Sequence, residues 1–154
     1  MTTTGTGTEN IRRLNRDDLS AVLALDRRIS KKRHMISYKD MMATDPTGAL
    51  DISYICETHG RVIGCIIARL EYMGVPLSEV CFIHGILVEP DYQNRGIGTR
   101  LINVLLDHCN TERISPVRAL LNKRDAKVKR FFERLDFKKS NLVNYDRKLQ
   151  GASW

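Results

Sequence analysis

The sequence predicts an α/β fold in which a seven-stranded mixed sheet carries helices on both faces. Short apolar or alternating runs, typical of strands, are interspersed with amphipathic patterns of helical period along the chain. The predicted elements follow the order β-α-α-β-β-β-α-β-α-β-β, and the late strand-helix-strand unit requires parallel neighbouring strands. A length of 154 residues with 42% hydrophobic residues is sufficient for one domain with its own core.

The first part of the chain supplies one strand and two helices. Residues 1–8 are rich in threonine and glycine, which predicts a disordered N-terminal segment ahead of a single domain over residues 9–150. A short strand is predicted at Ile11–Leu14, and Asn15 can cap a helix whose apolar residues recur at helical spacing. A second short helix is predicted at Ser37–Ala43.

The remainder of the chain supplies the other six strands and two further helices. Asp45–Gly48 is a turn signal, after which Ile52–Glu57 and Val62–Tyr72 are predicted to pair as a hairpin. The later elements are the strand Glu79–Val88, a helix after Gly98, the strand Val117–Leu121, a helix near Asp125–Leu135, and the strands Phe137–Ser140 and Val143–Lys148.

The most informative stretch is Ile83–Leu101, where an apolar strand runs through a proline turn and a glycine loop into a helix. Free N–H groups at a helix start, together with the positive end of the helix dipole, attract phosphate. Gly98 is not followed by the Lys-Ser/Thr pair of a P-loop, and Leu101 stands where a dinucleotide fingerprint needs a small residue. Glycines between a strand and a helix are also common turn residues, but the combination of strand, proline turn, glycine loop and amphipathic helix favours a site for a phosphorylated cofactor.

The segment Val88–Gly98 contains Val-x-Pro followed by Gln-x-x-Gly-x-Gly, and it resembles the acyl-CoA pyrophosphate loop of the GNAT superfamily of N-acetyltransferases. Asp125–Phe137 is similar to that superfamily's carboxyl-terminal motif, which ends in Tyr-Glu-Lys-Leu-Gly-Phe, and the element order matches across almost the whole chain. The resemblance implies an enzyme that moves an acetyl group from acetyl-CoA to a primary amine of a small molecule, peptide or protein, by direct attack in a ternary complex.

By the same resemblance, the strands carrying Ile86–Val88 and Val117–Leu121 splay apart, and the pantetheine arm of acetyl-CoA lies in the gap. Its amides would pair with the exposed backbone of the splayed strand. The residues that the resemblance assigns to acetyl-CoA binding are Ile86, Leu87, Val88, Gln93, Asn94, Arg95, Gly96, Ile97, Gly98, Thr99, Asp125, Lys127 and Arg130.

Three residues depart from the pattern of the superfamily. Phe132 stands where many members carry a tyrosine that protonates the departing CoA thiolate, and a phenyl ring has no proton to give. Asp136 replaces the glycine that ends the helix in a left-handed conformation, and Asp125 stands where many members carry asparagine. The missing acid leaves an alternative function open, a non-catalytic regulatory module that binds acetyl-CoA.

The catalytic base cannot be carried over, because Phe82 and Leu120 occupy the positions of two carboxylates used in the superfamily. His84 lies two residues from Phe82 on the same strand face and is the first candidate base, since an imidazole can accept a proton near neutral pH. Glu79 at the strand start is the second candidate, and the Ile86 N–H is the implied donor to the thioester oxygen. A lone histidine in an apolar strand is also commonly a hydrogen-bonded structural residue, so both roles stay open for His84.

The formal net charge of +7 is concentrated in basic clusters at 27–28, 31–33 and 123–130. Such clusters attract CoA phosphates, nucleic acid or acidic substrates. No aromatic residues interleave with the basic runs and no helix-turn-helix or RNA-binding signature is present, so nucleic acid is not expected as a partner. The acceptor amine is not identified, although a cationic rim favours one that bears a carboxylate, a phosphate or an acidic peptide flank over a polyamine.

The four cysteines lie in apolar stretches without Cys-x-x-Cys or histidine-ligand spacing, which predicts buried free thiols and no metal site; they are Cys56, Cys65, Cys81 and Cys109. No apolar run is long enough to span a bilayer and Met1–Thr8 is not a signal peptide, which predicts a cytoplasmic protein without a membrane partner. We also consider a homodimer.

Overall fold

The structure, a computed structural model, describes residues 8–30 and 45–151. Within them, five strands form one sheet in the order β1-β2-β3-β4-β5, in which the first four are antiparallel and β5 runs parallel to β4. The strands are β1 Asn10–Arg13, β2 Tyr54–Thr58, β3 Arg61–Met73, β4 Ser78–Val88 and β5 Val117–Ala119. The helices are α1 Leu19–Ser30, α2 Ile97–Thr111 and α3 Ala126–Arg134, with 3₁₀ turns at Arg16–Asp18 and Pro90–Tyr92.

Helices cover both faces of the sheet, as predicted. α1 packs its fully buried Val22 and Leu25 against one face, in a cluster that includes Ile55 and Cys65. α2 packs on the other face through a stripe of apolar residues at helical spacing, and α3 joins the same cluster; the α2 stripe is Ile97, Leu101, Ile102, Leu105 and Cys109. The mixed α/β architecture is therefore confirmed.

The 3₁₀ turn Arg16–Asp18, which leads into α1, begins with a reciprocal cap. The Asn15 side chain accepts a hydrogen bond from the Asp17 N–H at 2.9 Å, while the Asp18 carboxylate accepts one from the Asn15 N–H at 2.8 Å. Arg12 donates to both oxygens of Asp18 at 2.8 and 2.9 Å and also contacts Glu57 on β2. Hydrogen bonding from Arg12 lowers the pKa of Asp18, against the opposing effect of its burial. The capping role predicted for Asn15 is confirmed.

The prediction of seven strands is wrong, because the described residues form five. Residues 137–148, predicted to supply the last two strands, form no strand, and every side chain from Lys138 to Lys148 is exposed. Val143 and Tyr145 do alternate with polar residues there, but a strand needs a neighbouring edge for its backbone groups, and β5 is only three residues long. Phe137 alone is held to the core, edge-to-face against Phe132 with ring centroids 5.0 Å apart.

Most other elements lie where the sequence predicts them. The hairpin of β2 and β3 turns at His59 and Gly60, and Asp136 ends α3 with φ 63°, the left-handed conformation expected of that position. All four cysteines are buried free thiols, as predicted. The helix predicted at Ser37–Ala43 and residues 1–7 of the predicted N-terminal segment lie outside the described residues.

Helix α2 lies close to the sheet at Gly64 of β3. A Cβ atom at Gly64 would lie 3.1 Å from the Leu87 carbonyl oxygen and 3.2 Å from Ile97 Cγ2. Contacts of this length are tighter than ordinary van der Waals contact, so a side chain would have to displace its neighbours. The absence of a side chain at Gly64 lets the first turn of α2 rest directly on the strands.

Candidate functional site

Strands β4 and β5 pair only over their first shared residues and then diverge. Cys81, Phe82 and Ile83 pair with Val117, Arg118 and Ala119, and no later β4–β5 pair occurs among the described residues. On its other edge β4 remains paired with β3 through Val88. The edge of β4 that carries the predicted cofactor residues Ile86, Leu87 and Val88 is therefore open to a ligand with amide groups.

The glycine loop continues directly from this open edge. Gln93 Nε2 donates a hydrogen bond to the Val88 carbonyl at 3.0 Å, so this predicted cofactor residue also fixes the end of β4. Asn94 and Gly96 take left-handed conformations, with φ of 62° and 80°, which bend the exposed loop into the helix start. Arg95 lies over the Tyr92 ring, with its guanidinium carbon 5.1 Å from the ring centroid.

The N-terminus of α2 presents backbone donors at the end of this loop. Its first intrahelical hydrogen bond runs from the Arg100 N–H to the Gly96 carbonyl at 3.0 Å, so Ile97, Gly98 and Thr99 carry the N–H groups that an α-helix leaves unpaired at its start. The Ile97 side chain is buried and anchors this turn to the core. A 15-residue helix with unpaired donors beside a left-handed glycine has the form of an anion site.

Helix α3 lies against the start of α2. A Cβ atom at Gly98 would be 3.3 Å from Phe131 Cζ and 3.8 Å from Ile86 Cδ1, which places the Phe131 ring at the first turn of α2. Lys127 and Arg130 precede Phe131 by four residues and one residue, and both side chains are exposed. The two predicted cofactor cations are thus on the helix that touches the loop.

Asp125, also a predicted cofactor residue, is the N-cap of α3. Its Oδ1 accepts a hydrogen bond from the Val128 N–H at 3.1 Å. This carboxylate therefore has a structural partner of its own, and one of its oxygens is committed to capping the helix.

The candidate base His84 lies in a β-bulge. Gly85 pairs with Ile67 and Ile83 pairs with Ala68, so His84 is an extra residue on β4. Its Nε2 lies 2.6 Å from Oε1 of Glu71 on β3, and its ring is 4.9 Å from the Phe82 ring. Sequence reasoning missed Glu71, because nothing in the local pattern shows that a glutamate 13 residues away meets this histidine.

The second candidate, Glu79, lies on the opposite face of β4. It accepts a hydrogen bond from the Tyr72 hydroxyl at 3.4 Å and borders a cavity of about 330 Å³ that is also lined by His108 and Ile114. The structure does not bring Glu79 and His84 together, because residues of odd and even number point to opposite faces along this part of the strand.

Phe132 is buried at 3% exposure, between the rings of Phe131 and Phe137 at centroid distances of 5.5 and 5.0 Å. It borders a larger cavity of about 590 Å³ beside β5, which is also lined by Phe82 and Arg118. A tyrosine here would carry its hydroxyl towards a packed aromatic cluster or into this cavity, whereas the phenyl ring offers no exchangeable proton.

Comparison with known proteins decides the family. The model of the acetyltransferase (GNAT) family matches residues 13–137. The chain belongs to the GNAT family. The uncharacterized N-acetyltransferase MJ1207 of Methanocaldococcus jannaschii is 28% identical to this GNAT chain over 147 residues, which covers 88% of the chain. The chain spans 63% of the length of that relative.

Solved structures show the same fold. AAC(6′)-Iy in complex with the bisubstrate analogue CoA-S-monomethyl-acetylneamine superposes with a TM-score of 0.76 at 20% identity, covering 92% of this GNAT chain and 98% of that one. The aminoglycoside 6′-N-acetyltransferase AAC(6′)-Ih of Acinetobacter baumannii gives a TM-score of 0.75 at 22% identity, with 93% and 99% covered. At these identities the likeness shows the fold. No helix in residues 8–30 and 45–151 of the GNAT chain is long and apolar enough to cross a membrane.

Proposed function

We propose that this GNAT chain is an N-acetyltransferase that moves an acetyl group from acetyl-CoA to a primary amine by direct attack in a ternary complex. One observation carries the proposal: the edge of β4 that β5 leaves after Ile83 runs directly into the glycine loop and the unpaired donors of α2. An open strand edge followed by an anion site suits an amide-containing arm that ends in a pyrophosphate.

Acetyl-CoA fits this arrangement piece by piece. The pantetheine amides would pair with the backbone of Ile86–Val88, and the pyrophosphate would accept from the N–H groups at the start of α2. Lys127 and Arg130 would bind the 3′-phosphate of the adenosine from α3. The structural neighbour AAC(6′)-Iy, which shares the fold, was solved with CoA and with a CoA bisubstrate analogue, which supports the same cosubstrate here.

The chemistry requires an amine without its proton and a polarised thioester. The amine nitrogen attacks the carbonyl carbon, a C–N bond forms, the C–S bond breaks, and CoA leaves as a thiolate. His84 would accept the amine proton, directly or through water, and Glu71 at 2.6 Å would orient the imidazole. The Ile86 N–H would donate to the carbonyl oxygen, and the thiolate would be protonated by water because Phe132 cannot do so.

The test combines calorimetry with acetyl-CoA and a free-thiol assay over a panel of primary amines. His84→Gln should keep the affinity for acetyl-CoA but lose roughly tenfold to a thousandfold in turnover, and the acidic limb of the pH profile should flatten. Glu71→Gln should lower turnover in the same direction by a smaller factor. Glu79→Gln tests the second candidate base, and because this glutamate lies on the other sheet face we expect it to leave turnover unchanged. Normal turnover in His84→Gln would assign the proton transfer to another group.

A second function is favoured by the buried phenyl ring of Phe132. A chain without the acid of its family could bind acetyl-CoA without turnover and act as a regulatory module. Tight acetyl-CoA binding with no thiol release above background, for any amine in the panel, would establish this alternative. A cytoplasmic location and a homodimer stay predictions.

A further inference from the structure

Two arginines flank Phe82 on the sheet face that carries His84. Across the three strands β3, β4 and β5, Arg69 pairs with Phe82 and Phe82 pairs with Arg118. Residues that pair directly point to the same face of a sheet, so Arg69, Phe82 and Arg118 form a row across the three strands, the arginine row. The His84 ring lies beside this row, with its centroid 4.9 Å from that of Phe82. Neighbouring strands are about 4.8 Å apart, so the two arginine backbones lie about 10 Å apart with the phenyl ring between them.

Arg69 carries a donor that its surroundings leave unused. Its Nη1 is buried and has no hydrogen-bond partner within residues 8–30 and 45–151. The carboxylate of Asp51, which pairs with Arg69 across the strands, accepts from the Ser53 hydroxyl at 2.7 Å, and Glu71 is engaged by His84. Buried donors of native proteins are rarely left without an acceptor, and an unpaired charged donor costs more free energy than an unpaired neutral one.

Arg118 contributes a second cation at the same place. It borders the cavity of about 590 Å³ together with Phe82, and its Nη1 would lie 3.2 Å from a Cβ atom at Gly74. This position puts the guanidinium at the cavity wall, beside the turn that follows β3. Two arginines on the strands either side of Phe82 provide more donors than a single carboxylate needs.

We propose that Arg69 and Arg118 bind a carboxylate of the acceptor, so that the substrate is a primary amine that also bears a carboxylate. The inference rests on the proposed acetyl transfer. The carboxylate would lie on the Phe82 side of the cavity and accept from both arginine side chains, and the amine end would extend to His84. Arg69 and Arg118 are then specificity-determining residues, whose effect is on the choice of acceptor rather than on acetyl-CoA.

This assignment separates the chain from its structural neighbours by substrate class. An aminoglycoside is polycationic, and two arginine cations at the acceptor site repel it. We therefore expect neamine to be a poor acceptor for this chain.

The experiment compares primary amines that differ only in a carboxylate or a carboxamide, such as β-alanine with its amide and 4-aminobutyrate with its amide, alongside neamine. Thiol release gives kcat/KM for each. The wild-type protein should prefer the carboxylate by tenfold or more in at least one pair, and Arg69→Gln and Arg118→Gln should each remove most of that preference. Arg69→Lys should restore part of it, because the positive charge is kept while the planar fork is lost.

Lys139→Gln is the control, since it removes one charge from the wall of the same cavity outside the arginine row and should leave the preference unchanged. Acetyl-CoA affinity in calorimetry should be unchanged in all four variants. Equal use of both members of every pair, better use of neamine, or a preference that survives both glutamine substitutions would overturn the inference. If Arg69→Gln does not fold, the preference of the wild-type protein between carboxylate and carboxamide still tests the inference. Failure to bind acetyl-CoA would instead remove the proposed function, and this inference with it.

Discussion

The ion pair at the end of β4 gives the sharpest test of how the cofactor loop is held. Glu89 is the last residue before the proline turn, and its side chain is 8% exposed. Arg28, on the last turn of α1, donates to both carboxylate oxygens of Glu89, with Nη2 to Oε2 at 2.7 Å and Nε to Oε1 at 3.2 Å. Arg61 contacts the same carboxylate more loosely, at 3.4 Å.

The expected magnitude follows from this geometry. A hydrogen bond to a charged group contributes about 1.5–3 kcal/mol, and solvent screening reduces this for an exposed partner. The Arg28 side chain is 43% exposed, which places the pair between a buried and a surface salt bridge. We therefore expect Glu89→Gln to lower the free energy of unfolding by about 2 kcal/mol, and the coupling energy between Arg28 and Glu89 to be about 1 kcal/mol.

A double-mutant cycle measures that coupling. Urea unfolding of the wild-type protein, Arg28→Gln, Glu89→Gln and the double variant gives the four free energies, and for a chain of this size about 2 kcal/mol corresponds to a fall of about 4–8 °C in Tm. Arg61→Gln is the control, because its side chain is 58% exposed and its contact is longer. A coupling below about 0.3 kcal/mol, within the usual error of such cycles, would refute the view that this pair fixes the loop.

Three further predictions concern the cofactor site and acid stability. Gly98→Val should weaken acetyl-CoA binding at least tenfold in calorimetry, and since its Cβ would meet Phe131 at 3.3 Å it should also lower the free energy of unfolding by about 1–3 kcal/mol; unchanged affinity would remove the phosphate-loop assignment. Replacing both Lys127 and Arg130 by glutamine should weaken CoA more than 3′-dephospho-CoA, and an equal loss for both would make them plain surface charges. Arg12 holds the pKa of Asp18 below its ordinary range, so that carboxylate stabilises the fold above about pH 4 and the contribution disappears as the pH falls through the lowered pKa; Asp18→Asn should flatten this acid dependence in urea unfolding.

The elements that positioned the site could be predicted because their signals are local. The strand at Ser78–Val88, the glycine loop and the amphipathic stripe of α2 each follow from side-chain period and from residues with special backbone conformations. The capping role of Asn15 and the left-handed end at Asp136 follow in the same way, from single residue types at single positions.

What the sequence did not predict depends on contacts between distant residues. The bulge that makes His84 an extra residue is set by how β3 and β4 align, and the Glu71 partner and the arginine row follow from that alignment. The segment around Tyr145 shows the opposite error, a strand predicted where none forms. Val143 and Tyr145 alternate with polar residues, but their side chains are exposed and the segment pairs with no strand of the described sheet. An alternating side-chain pattern alone does not supply the neighbouring strand with which a β-strand must pair.

The contact at Gly64 makes the cofactor loop sensitive to a residue that no ligand would touch. With no side chain between β3 and the first turn of α2, the height of that helix above the sheet is set by backbone and by Ile97. A methyl group added at position 64 would lift the first turn of this 15-residue helix from the sheet. The helix would tilt, and its unpaired N–H groups would move away from the line of β4. Screens for lost cofactor affinity should therefore recover Gly64 variants that remain folded, although position 64 lies outside every predicted binding motif.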